Sequence, residues 1–195
     1  MREWTMVSRV GLIVLMAGLV GVVMAAKPVP PQATIAPEVV ADYVHAVIEA
    51  DRAVYTRHVV DRLSAKGVLT ASEHWDVQNT LLLPAQFLNE SARLVAKKEQ
   101  GIRYRLVSLW PIYERNGPAT EFERAGLKAV LKEPGKTFTG FVESGQRRFF
   151  QAIYADVAVS QACVGCHNTH PSSPRRDFKE KDVMGGIVIT IPLSR

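Results

Sequence analysis

The sequence predicts an α+β fold, a small antiparallel sheet with helices packed around it. Three observations carry that expectation. From Glu38 to about Leu63, apolar residues recur at spacings of three and four, the period of a helix. Residues 102–109, 136–143, 146–157 and 185–193 read instead as strands. Two of those strands are joined by the short turn Ser144-Gly145, and a tight connection makes neighbouring strands antiparallel. The order is helix, helix, strand, helix, strand, strand, a cysteine-bearing segment, strand.

Arg2 and Arg9 flank the start of an uncharged apolar run, Val10 to Ala26, that ends in small residues. A basic start, an apolar core and a small-residue end describe a secretory signal peptide, with cleavage expected after Ala25 or Ala26. An uncleaved N-terminal membrane anchor is the alternative, because the run is at the short limit for spanning a bilayer. Residues 1–26 are therefore read as signal peptide or anchor, and the Pro-rich stretch 27–36 as a linker. Residues 37–195 form the domain. Either reading places it in the periplasm or on the outer face of the cytoplasmic membrane.

Pro37 suits the first turn of the first helix, whose stripe includes Val40, Tyr43, Val44, Val47, Val54, Tyr55, His58 and Val59. Gly67 ends it. A second helical stretch is expected from Ser72 to Lys98, capped by Ser72, stopped by Gly101 and kinked at Pro84. The strand from Ile102 gives way at Trp110-Pro111, and Asn116-Gly117-Pro118 is a turn. A short amphipathic helix follows from Thr120 to Leu131, with Thr120 as cap and Glu123 three residues on. A polar loop, Asn168 to Asp182, separates the cysteine segment from the last strand.

Composition is that of an ordinary globular chain: 47% hydrophobic and 22% charged residues, with a net charge of +5. Lys and Arg are interleaved with Asp and Glu and make no run of five like charges, so there is no nucleic-acid footprint. No internal period suggests a repeat architecture.

The chemistry lies in Cys163-Val-Gly-Cys166-His167. The C-x-x-C-H pattern reads as covalent attachment of a c-type haem. Two intervening residues let one helical turn present both sulfurs to the two vinyl groups on one edge of the porphyrin. The next residue, His167, then lies under the iron as axial ligand. Other readings fit less well. A thioredoxin-like pair needs a strand leading into the motif at the start of a βαβ unit, and here the motif is late in the chain. A zinc site built from Cys163, Cys166, His167 and His170 crowds four ligands into eight residues. A disulfide is the other use of such a pair outside the cytoplasm, but the following His makes the motif that of haem attachment.

With both thiols used, the sixth iron ligand must be another group. His58, on the apolar stripe of the first helix, is the first candidate, and Met184, near the start of the last strand, is the second. His170 is expected to be solvated, and His45 and His74 to lie on helix surfaces. Arg103, Arg105, Arg147 and Arg148 are possible partners for the haem propionates.

Several stretches, in order, resemble one family. They are Ala53-Val-Tyr55-Thr56-Arg57-His58-Val59-Val60, Leu83-Pro84-Ala85-Gln86-Phe87-Leu88, Tyr104 to Pro111, Asn116 to Glu123, the attachment motif, and Asp177 to Ile189. Together they are similar to a PAS-like c-type haem family, found alone and as the periplasmic sensor part of histidine kinases and chemoreceptors. The resemblance implies a PAS-like antiparallel sheet of about five strands with flanking helices and haem held between sheet and helices. It also implies His167 as proximal ligand and a distal ligand from the Tyr55–His58 end of the first helix. Sensor members continue into a transmembrane helix and an output domain, whereas this chain stops at Arg195. It is not expected to signal alone.

The expected function is that of an exported mono-haem c-type cytochrome carrying single electrons to or from a redox partner protein. The alternative is a haem-based sensor of redox state or of NO, CO or O2, acting through a signalling partner. No acid–base pair stands out in the sequence to mark an enzyme such as a peroxidase.

Overall fold

In a computed structural model, residues 34–98 and 101–193 are described. The segment read as signal peptide or anchor, and residues 27–33 of the linker, lie outside them. Among the described residues no helix is long and apolar enough to cross a membrane.

Helix α1 (Pro37–Val54) starts on Pro37, whose missing N–H falls where a helix has no partner to offer. The helix runs on through a π-helical segment, Tyr55–Asp61, into the single turn α2 (Arg62–Ala65). Gly67, at φ 63°, ends it in the left-handed region that glycine adopts without a steric cost. The expected span is thus observed, but its period is not uniform.

The second helix differs from expectation. Residues 71–82 form no helix: β1 (Ala71–Ser72) and β2 (Leu81–Leu82) make a two-residue parallel ladder around a turn. Ser72 accepts from the His74 N–H inside that turn and caps no helix. Helix α3 (Pro84–Ala96) begins at the proline that was expected to kink it. The physical reason is local. A proline disfavours helical geometry in the residue before it, and Leu83 is extended, at φ −63° and ψ 149°. Gln86 supplies half of a capping box, its Oε1 accepting from the Leu83 N–H at 3.1 Å.

Strand β3 (Arg103–Val107) and a 3₁₀ turn at Glu114–Asn116 lead to α4 (Glu121–Lys132). Thr120 caps α4 as expected, accepting from the Glu123 N–H at 3.1 Å. Strands β4 (Phe138–Ser144) and β5 (Arg147–Val157) form the hairpin. Ser144 pairs with Arg147, so the turn residues are Gly145 and Gln146, one place later than expected, with Gly145 at φ 61°. Helix α5 (Gln161–Thr169) carries the cysteine motif, and β6 (Val183–Pro192) completes the sheet.

The main sheet is antiparallel, in the order β3-β6-β5-β4. It has four strands, against the about five that the resemblance implied, and the short β1 and β2 form a separate ladder. Alternation along β5 and β6 gives each face its own core. Phe150, Ala152, Tyr154, Ile187, Ile189 and Ile191 pack beneath α1 and α3 with Ala41 and Leu88. Ile153 and Val188 pack on the other face with Leu127 and Val130 of α4. Each large apolar side chain so buried contributes about 1.5–3 kcal/mol. The fold is α+β, with helices on both faces of the sheet.

Candidate haem-binding site

Cys163 and Cys166 are three apart on α5, and His167 is four from Cys163, so one helical face carries all three. His170, three beyond His167, extends the same stripe. All four side chains line one cleft, closed on its other sides by α1, the start of α3, the end of β5 and residues 106–116. The cleft encloses about 1130 Å³ of empty space, part of it open to solvent. Its floor is apolar and includes Leu83, Pro84, Leu106, Ile112, Val157 and Met184.

Two contacts hold α5 in place. The Asn168 side chain donates to the Phe178 carbonyl at 2.9 Å and accepts from the Phe178 N–H at 3.0 Å. This ties the loop after α5 back onto the helix. Phe178 then presents its ring edge-on to His167, with centroids 5.6 Å apart. Trp110, Val164, Met184 and Ala158 fill the space behind Cys163.

The electrostatics follow from this packing. Burial lowers the pKa of His167, with Asp156 opposing the shift. Nδ1 of His167 is buried without a hydrogen-bond partner. A ring with an unsatisfied buried nitrogen fits a side chain held for a ligand. Burial raises the Cys166 thiol, assisted by the Glu73 carboxylate and Cys163. Both thiols are free.

The opposite wall carries groups that the sequence reading did not single out. Arg52 of α1 donates to Asp156 of β5, both side chains being about nine-tenths buried. At the rim, Tyr113 donates to Glu73, and His170 Nε2 lies 3.4 Å from the same carboxylate. The Tyr113 hydrogen bond, against a smaller burial effect, holds Glu73 below the usual carboxylate range. Arg115 also lines the cleft. A signal for the buried pair was present. Arg52 sits one turn beyond Ile48 and one before Thr56, and Asp156 shares the strand face of Ala152 and Tyr154.

Several expected positions differ. His58 is exposed and is not among the cleft-lining residues. The π-helical segment explains the phase change: an extra residue in the turn shifts every later side chain around the axis. Thr56 and Val60 take the buried positions, and Thr56 Oγ1 donates back to the Arg52 carbonyl at 2.7 Å. Tyr55 turns inward, donating to the Leu82 carbonyl at 2.9 Å and stacking on Phe87. Met184 is buried and lines the cleft. His170 is not solvated, its side chain being 14% exposed. His45 is not a surface residue but stacks on Tyr154, with centroids 3.9 Å apart. His74 is exposed, but in the turn between β1 and β2 and not on a helix.

None of Arg103, Arg105, Arg147 and Arg148 lines the cleft. Arg105 is committed to buried Glu123 at 2.5 Å, and Arg148 lies over the Phe141 ring. Arg52 and Arg115 are the arginines in the cleft.

A family model described as Tll0287-like matches residues 32–192. The chain belongs to the Tll0287-like family. This is the PAS-like c-type haem-binding family that the sequence resembled, and the match covers nearly all of the described domain. No curated protein and no solved structure matches. Membership in the Tll0287-like family and the geometry of α5 agree on the ligand class. The residues present fit a haem: two thiols and an imidazole on one helix face, an apolar cleft beside them, and the exposed Arg115 at its edge.

Proposed function

We propose that this chain is an exported c-type cytochrome carrying one haem, bound through thioethers to Cys163 and Cys166, with His167 on the iron. The observation that carries this reading is the convergence of those three side chains on one apolar cleft. A porphyrin needs only one axial residue on this wall, and His167 supplies it.

The haem would supply a one-electron couple. The protein's part is to fix that couple and set its surroundings. α5 pins the porphyrin edge to the backbone. The apolar floor limits water beside the iron, and the rim groups Arg115 and His170 suit the propionates. We favour single-electron exchange with a partner protein, in the periplasm or on the outer face of the cytoplasmic membrane, as the function.

The placement of His58 favours a second reading. With His58 outside the cleft, Met184 or an external ligand is left for the sixth position, and an easily displaced ligand suits a sensor of redox state or of NO, CO or O2. The absorption spectrum of the ferrous haem-loaded protein, with and without CO, separates the two. Sharp low-spin bands unmoved by CO support electron transfer. A CO-induced shift transfers the assignment to sensing. Haem lost to acid–acetone extraction of the denatured chain overturns covalent attachment.

A further inference from the structure

Arg52 and Asp156 put two opposite charges into the wall of a cleft whose floor is apolar. Their side chains are 10% and 11% exposed, and both line the cleft together with Cys163, Cys166 and His167. A buried pair adds little to stability over apolar residues of similar volume, because desolvating two charges offsets their attraction. Stability therefore does not account for a pair at this place.

Its position does. Among the described residues only Arg52, Glu123 and Asp156 are charged and buried, and Glu123 lies outside the cleft, held by Arg105. Asp156 is two residues before Ala158, and that step of extended chain spans about 7 Å. Ala158 packs with Val164 of α5, and Cys163 packs against the same cluster. The carboxylate thus stands close to the segment that carries the attachment motif. The other charged side chains of the cleft, Glu73 and Arg115, lie at its more exposed rim, where water screens them. Charges held away from water act on their surroundings with far less screening.

We propose that Arg52 and Asp156 set the reduction potential in this cleft, Asp156 as the fixed negative charge that favours oxidised iron and Arg52 as the counter-charge that limits it. The inference rests on the haem reading above. The pair is neutral as a whole. Removing one charge therefore moves the potential, and removing both nearly restores it. Without Asp156 the ferric state is disfavoured, because a guanidinium does not give up its proton and Arg52 stays positive. Neither residue touches a reacting atom in this account; they act through the field in the cleft.

Redox titration of the haem-loaded full chain in mild detergent, followed by its absorption bands, tests this. Poised at the wild-type midpoint, Asp156→Asn is expected to raise the ferrous-to-ferric ratio about fivefold, the order that one poorly screened charge gives across such a cleft. Arg52→Gln should lower the ratio at about pH 8, well above the ordinary carboxylate range. The double variant should return close to the wild-type ratio. A role in packing alone predicts the other order, with the double variant furthest from wild type. If Asp156→Asn does not fold, Arg52→Gln and the double variant carry the comparison. An unchanged ratio in a folded single variant overturns the proposal, as does a double variant displaced further than the singles. Haem lost to acid–acetone overturns the haem reading and this inference with it, a failure distinct from an unmoved ratio in a chain that keeps its haem.

Discussion

The guanidinium of Arg52 donates to the carboxylate of Asp156 across 104 residues of sequence, joining α1 to the end of β5 in the wall of the haem cleft. The two side chains are 10% and 11% exposed, so little water remains to screen either charge.

Removing one partner of such a pair is costlier than removing both, because it strands a buried charge. Arg52→Leu is expected to lower stability by about 3–5 kcal/mol. Arg52→Leu combined with Asp156→Leu should recover most of that loss. Urea unfolding of the three proteins makes the comparison, and equal stability of single and double variants would show that the pair is not coupled.

His45 gives stability a pH dependence. Burial against Tyr154 lowers its pKa from the ordinary 6.5, and the nearby carboxylates Glu49 and Asp42 only partly oppose this. A histidine with a lowered folded pKa binds its proton more readily when unfolded. Its contribution is therefore full above about pH 6.5 and declines as pH falls through the unfolded value towards the folded one. Wild type should lose more stability between pH 7.5 and 5.5 than His45→Phe, which keeps the stack without the titration. Parallel losses in the two proteins would assign the dependence to other groups.

Gly185 is where the sheet tolerates no side chain. A Cβ there would lie 2.2 Å from the Val107 carbonyl oxygen, which is backbone and has no rotamer to yield. Gly185→Ala must push β6 away from β3 beside the cleft. A loss of about 1–3 kcal/mol is expected, with weaker haem retention, since Gly185 lines the cleft too. Gly165→Ala, at a position with no atom within 4 Å of the added carbon, is the control and should be far milder.

The cysteines and histidines divide cleanly by place. Cys163→Ser or Cys166→Ser should leave one thioether each, and the double variant should release all haem to acid–acetone. His167→Ala should shift the ferrous spectrum strongly. His58→Ala should leave it unchanged, because His58 is exposed outside the cleft. Met184→Leu tests the sixth position: a switch to high-spin iron identifies the thioether as ligand, and an unchanged spectrum excludes it.

The sequence by itself determined the elements whose causes are local. The period of α1, the Thr120 cap, the β4–β5 hairpin and the attachment motif each depend on residues a few places apart. So the helix-face arrangement of Cys163, Cys166 and His167 was legible before any coordinates. Tertiary structure decided what stands opposite them. The π-helical segment, invisible to a uniform period, turned His58 outward. The far wall pair, Arg52 with Asp156, and the rim residues Glu73 and Tyr113 that meet His170 of the α5 end are distant in sequence. Their meeting depends on strand register and helix placement, which local periodicity does not encode.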